Sequence, residues 1–358
     1  MSQTVPRPDG VVPAVPDGFS IAPFATGLAS PRWMAVAPNG DVFLTEPKDG
    51  KITVLRDADG DGKAEKTSTY ASGFDRVHGI AFHDGALYVA DVNAAYRLPY
   101  KDGDMTTDAK PKKITKDSFG GDSDHWSRNI AFDKAGAMYI AIGSGANVEE
   151  GEPEPRATVQ KVDADGHLHT FASGIRNPVG IAFYPGTDDL YVAVNERDLL
   201  GDDLVPDYMT RIRAGEFFGW PYAYTGPHPD PDFGAKRPDL VKKTKTPDVL
   251  FESHSAALGL VFYQGTQFPA DFKGDAFVAL HGSWNRGNPT GYKVVRVHFS
   301  KGRPENAYTD FATGFWDGSS KPAKVWGRPA GLAVAKDGAL LIADDAGKTV
   351  WRVSYKGK

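Results

Sequence analysis

Three groupings of side chains in this sequence are able to do chemistry. The first is a scatter of imidazoles and guanidiniums, Arg32, His78, His125, Arg128, Arg176 beside Asn177, His254 and Arg328. Clustered in space, they would bind an anion of several charges, and an imidazole among them would exchange protons near neutrality. The second is a set of oxygen-bearing side chains, Asn147, Asn195, Glu196, Asp198 and Asp345, joined by His281, Trp284, Asn285 and Arg286. Carboxylates and amides of this kind are ligands for a hard cation. The densest stretch is Asn195-Glu196-Arg197-Asp198, followed by Leu199, Asp202, Asp203 and Asp207. The third is Asp57-Ala-Asp59-Gly-Asp61-Gly62-Lys-Ala-Glu65, which matches the opening of an EF-hand calcium loop. Ser68 stands where that loop has its bidentate Glu, and no helices flank it, so a plain acidic hairpin turn is the other reading.

Stepping outward from these residues, most of them lie immediately before or after a recurring unit. The unit is an apolar strand, a turn with Gly, and a second apolar strand ending in small or acidic residues. It begins at Trp33, His78, Arg128, Val179, Leu258 and Ala330. A second element, Phe24-Ala-Thr-Gly, Tyr70-Ala-Ser-Gly, Phe171-Ala-Ser-Gly and Phe311-Ala-Thr-Gly, precedes four of the six copies. The first four copies are roughly 45 to 50 residues apart, the period of a propeller blade. The last two gaps are longer and predict inserted loops.

The expected fold is therefore all-β, a six-bladed β-propeller over residues 19–358, preceded by a flexible segment 1–18. Radial closure leaves only short protected edges, and Phe19 to Phe24 is placed to pair with Val350 to Tyr355 and close the ring. In a propeller the innermost strand of each blade leaves one face and the next strand returns to it. Residues before the first strand and after the second should then meet at one mouth, which brings the first two groupings together.

Composition fits this fold and narrows the partners. With 40 Gly and 26 Pro, 41% hydrophobic and 24% charged residues, the chain suits many short strands better than long helices. A net charge of −5 without a dense basic block excludes a nucleic-acid-binding protein, and no apolar run is long enough to span a bilayer. The lack of cysteine excludes disulfides and thiolate chemistry and fits either the cytoplasm or the periplasm. The Pro-rich start resembles a stretch downstream of a cleaved export signal with an added Met, so a periplasmic location is expected.

The chain resembles the soluble dehydrogenases of glucose and sorbosone that depend on pyrroloquinoline quinone (PQQ). The resemblance rests on His125-Trp-Ser-Arg128-Asn129, Gly174-Ile-Arg176-Asn177-Pro178, Asn195-Glu-Arg-Asp198, Gly219-Trp-Pro-Tyr222 and His281-Gly-Ser-Trp284-Asn-Arg286. It implies oxidation of the anomeric carbon of an aldose or aldosone, with His125 as the general base and hydride passing to the quinone. It also implies that Arg176 and Asn177 contact the cofactor, with Arg176 stabilising charge on the quinone, and that Arg328 is a further cationic contact. Arg128, His281 and Arg286 are candidate cofactor contacts as well. Calcium is implied near Asp198 and Leu199, with Asp202 or Asp203 as added ligands. The partners would be a small sugar and an electron acceptor, a cytochrome or a quinone, for a monomer or homodimer.

The sequence departs from the glucose-specific branch at Val179, which replaces a Gln. It also has only Arg328 where that branch pairs two arginines, and His281 or Arg286 in place of a late Lys. It is closer to the aldose and sorbosone branch. Two other readings remain open: a calcium-dependent lactonase-type hydrolase, which needs no arginine ring, and a non-catalytic propeller with a broad apolar face.

Overall fold

The computed structural model describes residues 2–357, and its regular structure is nearly all short, mostly antiparallel strands. Six blade sheets follow one another in sequence order, five of four strands and the third of five. Their innermost strands are Trp33–Val36, Gly79–His83, Arg128–Phe132, Asn177–Phe183, Ala257–Phe262 and Pro329–Val334. Each packs beside the next, and the last packs against the first, so the ring of six blades predicted from the repeat is the observed fold.

One glycine position explains how closely these inner strands approach. A Cβ on Gly79 would lie 2.5 Å from the Arg128 carbonyl oxygen, and one on Gly331 2.3 Å from that of Arg32. Gly180 and Gly259 occupy the same place in the fourth and fifth blades. The residue is small because the backbone of the neighbouring blade sits where its side chain would be.

The ring closes as expected, and slightly beyond. Phe19–Ala25 pairs antiparallel with Thr349–Tyr355, from Phe19 opposite Tyr355 to Ala25 opposite Val350, as the outermost strand of the sixth blade. The segment before it, expected to be slack, is instead laid along the last two blades. Gln3–Thr4 pairs in parallel with Lys324–Val325, Ala14 bridges Thr313, and the Arg7 guanidinium lies 5.1 Å from the Trp351 ring centroid. Small apolar contacts from Val5 and Val15 against the blade core pin it there.

The long gaps hold the predicted insertions. Residues 214–248 carry a strand, Glu216–Phe217, that joins the third blade, then the pair Ala223–Tyr224 and His228–Pro229, and a helix, Pro238–Lys243. Further loops, 281–292 and 313–328, flank the fifth and sixth blades. No helix of the described residues is long and apolar enough to cross a membrane.

Candidate active site

A cavity of about 660 Å³ opens where the inner strands begin, a volume suited to a small organic ligand. Its floor is apolar, with Val179 and Leu258 from the inner strands. Its walls collect His125, Arg176, Asn177, Asp198, Leu199, His281 and Arg328 from blades far apart in sequence. Arg32 and His254, also read in the sequence as mouth residues, line it too.

His125 sits on the loop before the third inner strand. Its Nδ1 is 3.0 Å from the Ser144 carbonyl oxygen and 2.8 Å from Ser144 Oγ, while Nε2 has no hydrogen-bond partner among the described residues. Burial, followed by the nearby Arg176 charge, pushes its pKa down to about 3. The ring is a neutral imidazole at any ordinary pH.

Arg176 differs from the sequence-based expectation. Its five N–H groups face five acceptors: Nε the Asn147 carbonyl at 2.9 Å, Nη1 the carbonyls of Glu196 at 2.6 Å and Asn195 at 3.4 Å, and Nη2 Asn147 Oδ1 at 2.8 Å and Asp198 Oδ2 at 3.1 Å. No donor is left over for a forked contact with a ligand. The guanidinium braces the wall between the third and fourth blades and acts on the cavity through its charge.

Asp198 is similarly occupied. Its Oδ1 accepts from Asn285 Nδ2 at 2.7 Å and from His254 Nδ1 at 3.1 Å, and its carbonyl accepts from Asn147 Nδ2 and Arg197 Nε. His254 Nε2 lies 2.9 Å from the Gly201 carbonyl, so both ring nitrogens face acceptors. The Asp198 hydrogen bond accordingly raises the His254 pKa. Deep in this wall, Glu196 and Asp207 also line the cavity, and burial lifts them to about 7 and about 6.

On the opposite wall Arg32 Nη1 contacts Asp345 at 2.5 Å, and His281 Nε2 contacts the same carboxylate at 2.9 Å. Arg328 donates Nε to the His281 carbonyl and Nη2 to that of Gly282. Trp126, between the Arg32 and Arg76 guanidiniums at 5.4 and 4.5 Å, and half-exposed Trp284 supply aromatic surface.

Several expected site residues lie elsewhere. Arg128 is fully buried beneath the His125 loop, donating to the carbonyls of His125, Ser127 and Gly121. It holds the loop and does not reach the cavity. Arg286 donates to Asp203 and to the Ser253 carbonyl, and Asp202 accepts the amides of Gly287 and Asn288. These residues clasp loop 198–205 to loop 284–288 outside the cavity. Trp220 is packed in the wall with Nε1 on the Asn147 carbonyl.

Asp57, Asp59, Asp61 and Glu65 do form a cluster, with one oxygen of each within 4.8 Å of the others. They lie on the turn between the third and fourth strands of the first blade, on the face away from the cavity. Asp57 caps the amides of Gly60 and Gly62, and Glu65 that of Ala58.

With the geometry in place, the relatives can be compared. A family model described as TrAA12-like matches residues 13–206 and 238–356. The chain belongs to this family. The unmatched stretch takes in the third strand of the fourth blade and the inserted hairpin. An uncharacterised protein of Borreliella burgdorferi is 29% identical over 360 residues, covering 96% of this chain and 90% of that protein. The pyrroloquinoline quinone-dependent pyranose dehydrogenase of Coprinopsis cinerea is 25% identical over 341 residues, 79% of this chain. This chain spans 44% of that relative's length. The holo form of the PQQ domain of the Coprinopsis cinerea pyranose dehydrogenase superposes with a TM-score of 0.81, at 20% identity and 98% coverage of both chains. The likeness confirms the propeller fold across the whole ring.

Proposed function

We propose that the protein is a quinoprotein that oxidises the anomeric carbon of an aldose or of an aldosone such as sorbosone, with PQQ and calcium held in the cavity. The observation that carries this reading is a set of unsatisfied buried atoms around a free imidazole nitrogen. Among the described residues Arg32 Nε has no acceptor, and Asn177 Oδ1, Glu196 Oε1 and Asn285 Oδ1 have no donor, although all four residues line the cavity. Buried polar atoms are almost always paired, so this set suits a ligand with anionic oxygens and an accompanying hard cation. A tricarboxylate quinone with calcium meets both demands. Membership of the family and the named activity of its Coprinopsis cinerea relative support the same reading.

Arg32 and Arg328 would hold the cofactor's carboxylates, and Asn177 with His281 would complete the cradle. Calcium would take the free amide and carboxylate oxygens with the main chain at Leu199, in preference to Asp198, whose oxygens are already used. When bound, PQQ supplies a two-electron acceptor for the hydride leaving the anomeric carbon. His125 Nε2 takes the proton of the anomeric hydroxyl, which its unprotonated state at working pH allows. The Arg176 charge favours the negative charge that develops in the cavity. Trp284 at the rim offers a flat face to the sugar. An external cytochrome or quinone would be the final electron acceptor.

Titrating the protein with PQQ and calcium, then adding an aldose panel and an artificial electron acceptor, tests this. Saturable binding with sugar-dependent dye reduction that disappears in His125→Ala is expected. Absence of PQQ binding with calcium present would overturn the reading and leave lactone hydrolysis as the activity to assay.

A further inference from the structure

We propose that Ser144 is the positioning residue for His125, fixing its imidazole as the Nδ1–H tautomer so that the lone pair of Nε2 faces the substrate. This rests on the quinoprotein reading for its catalytic consequence, though the tautomer itself does not depend on it.

Donors and acceptors around Nδ1 decide the tautomer. A carbonyl oxygen only accepts, so the 3.0 Å contact between His125 Nδ1 and the Ser144 carbonyl requires a proton on Nδ1. Ser144 Oγ, 2.8 Å from the same nitrogen, would be ambiguous alone, because a hydroxyl can donate or accept. Its own proton is committed elsewhere: Oγ donates to the Ala146 carbonyl at 2.7 Å. Oγ therefore accepts from Nδ1–H, and one serine presents two acceptors to a single donor.

The arrangement is fixed by residues that touch neither the ring nor the cavity floor. Glu152 Oε1 accepts the amides of Gly145 and Ala146, which holds the turn that presents the Ala146 carbonyl. Arg156 donates to the carbonyls of Gly143 and Ser144 and, on the facing loop, to Ser123 Oγ and the carbonyls of Gly120 and Gly121. The loop carrying the base is thereby tied to the strand end carrying its orienter. A Cβ at Gly143 would lie 2.7 Å from His125 Cβ and 2.6 Å from Asn177 Oδ1, so the backbone there is pressed against the base.

When Nε2 accepts the proton of the anomeric hydroxyl, the ring becomes an imidazolium whose Nδ1–H is already bonded to two oxygens. Bound PQQ would accept the hydride from the anomeric carbon, and the ring would afterwards give its proton up to solvent. The charged groups facing the ring are Arg176 from the start of the fourth inner strand, Asp198 from the loop after that blade's second strand, and Arg156 from the segment before the third strand of the third blade. None of them hydrogen-bonds the ring, so Ser144 alone sets its tautomer.

Three measurements test this. Nitrogen-15 NMR of ring-labelled histidine in the wild-type protein, with His125→Gln assigning the signal, should show a pyrrole-type Nδ1 and a pyridine-type Nε2 between about pH 5 and 8. In the loaded enzyme, Ser144→Ala should lower kcat by about tenfold with KM little changed, and Ser144→Thr, which keeps the oxygen, should restore most of it. Ser144→Asp should move the acid limb of kcat/KM upward by roughly one to two pH units, because a carboxylate at Nδ1 favours the imidazolium. An Nε2–H tautomer in the wild type overturns the proposal, as do unchanged kcat in Ser144→Ala and an unmoved acid limb in Ser144→Asp. The expected tautomer in a protein that oxidises no sugar would instead leave the assignment standing and sink the quinoprotein reading.

Discussion

Two acidic regions of this protein have similar composition and opposite character. The turn at Asp57 to Glu65 is exposed, and its carboxylates bond amides no more than seven residues away along the chain. The wall around Asp198 is buried, and its partners Asn147, Arg176, His254 and Asn285 come from as far as 87 residues away. An exposed carboxylate remains solvated whatever it touches. A buried one must be matched by cations and amides that only the closed ring brings together.

The largest effect that would sharpen this contrast is at the base the wall supports. His125→Ala should reduce sugar-dependent dye reduction by about a hundredfold or more while leaving the thermal midpoint close to wild type. Asp198→Ala should cost about 3 kcal/mol of stability, seen as a lowered midpoint in chemical denaturation, because Arg176 and His254 lose their shared counter-charge. Asp59→Asn in the turn should stay within about 0.5 kcal/mol by the same measurement. Equal losses at the two positions would break the comparison.

A pH series separates the regions further. The folded-state pKa of His125 lies near 3, below the ordinary 6.5, so folding favours its neutral form. Its contribution is present above the unfolded pKa and is lost as pH falls from about 6.5 towards 3. Thermal midpoints should decline over that window, and less steeply in His125→Gln. The smallest expected effect belongs to the turn: millimolar calcium should raise the midpoint slightly in the wild type and not in Asp57→Asn combined with Asp59→Asn.

The position of the acidic turn was legible from the sequence because its contacts are local. The six blades were legible because the period and the strand pattern repeat, and the mouth because strand direction decides which residues face it. His125, Asn177, His281 and Arg328 were found that way. Arg128 was misplaced because a residue at the start of an inner strand is able to point down into the wall as easily as into the cavity. The saturation of Arg176 was hidden, since three of its acceptors are main-chain carbonyls, to which any residue type contributes. Ser144 was missed for a related reason. Its role depends on where its hydroxyl proton goes, and no spacing motif records that.

The pairing of Phe19–Ala25 with Thr349–Tyr355 has a consequence for how the protein is made. The sixth blade is assembled from two distant segments, so the strand Phe19–Ala25 must wait, unpaired, until Thr349–Tyr355 has been synthesised. Five blades and the two inner strands of the sixth precede that point in the chain, and the seam then fastens the outer edge of the ring. A circular permutant that moved the seam to another blade would shift the moment of closure without altering the inner strands that surround the cavity.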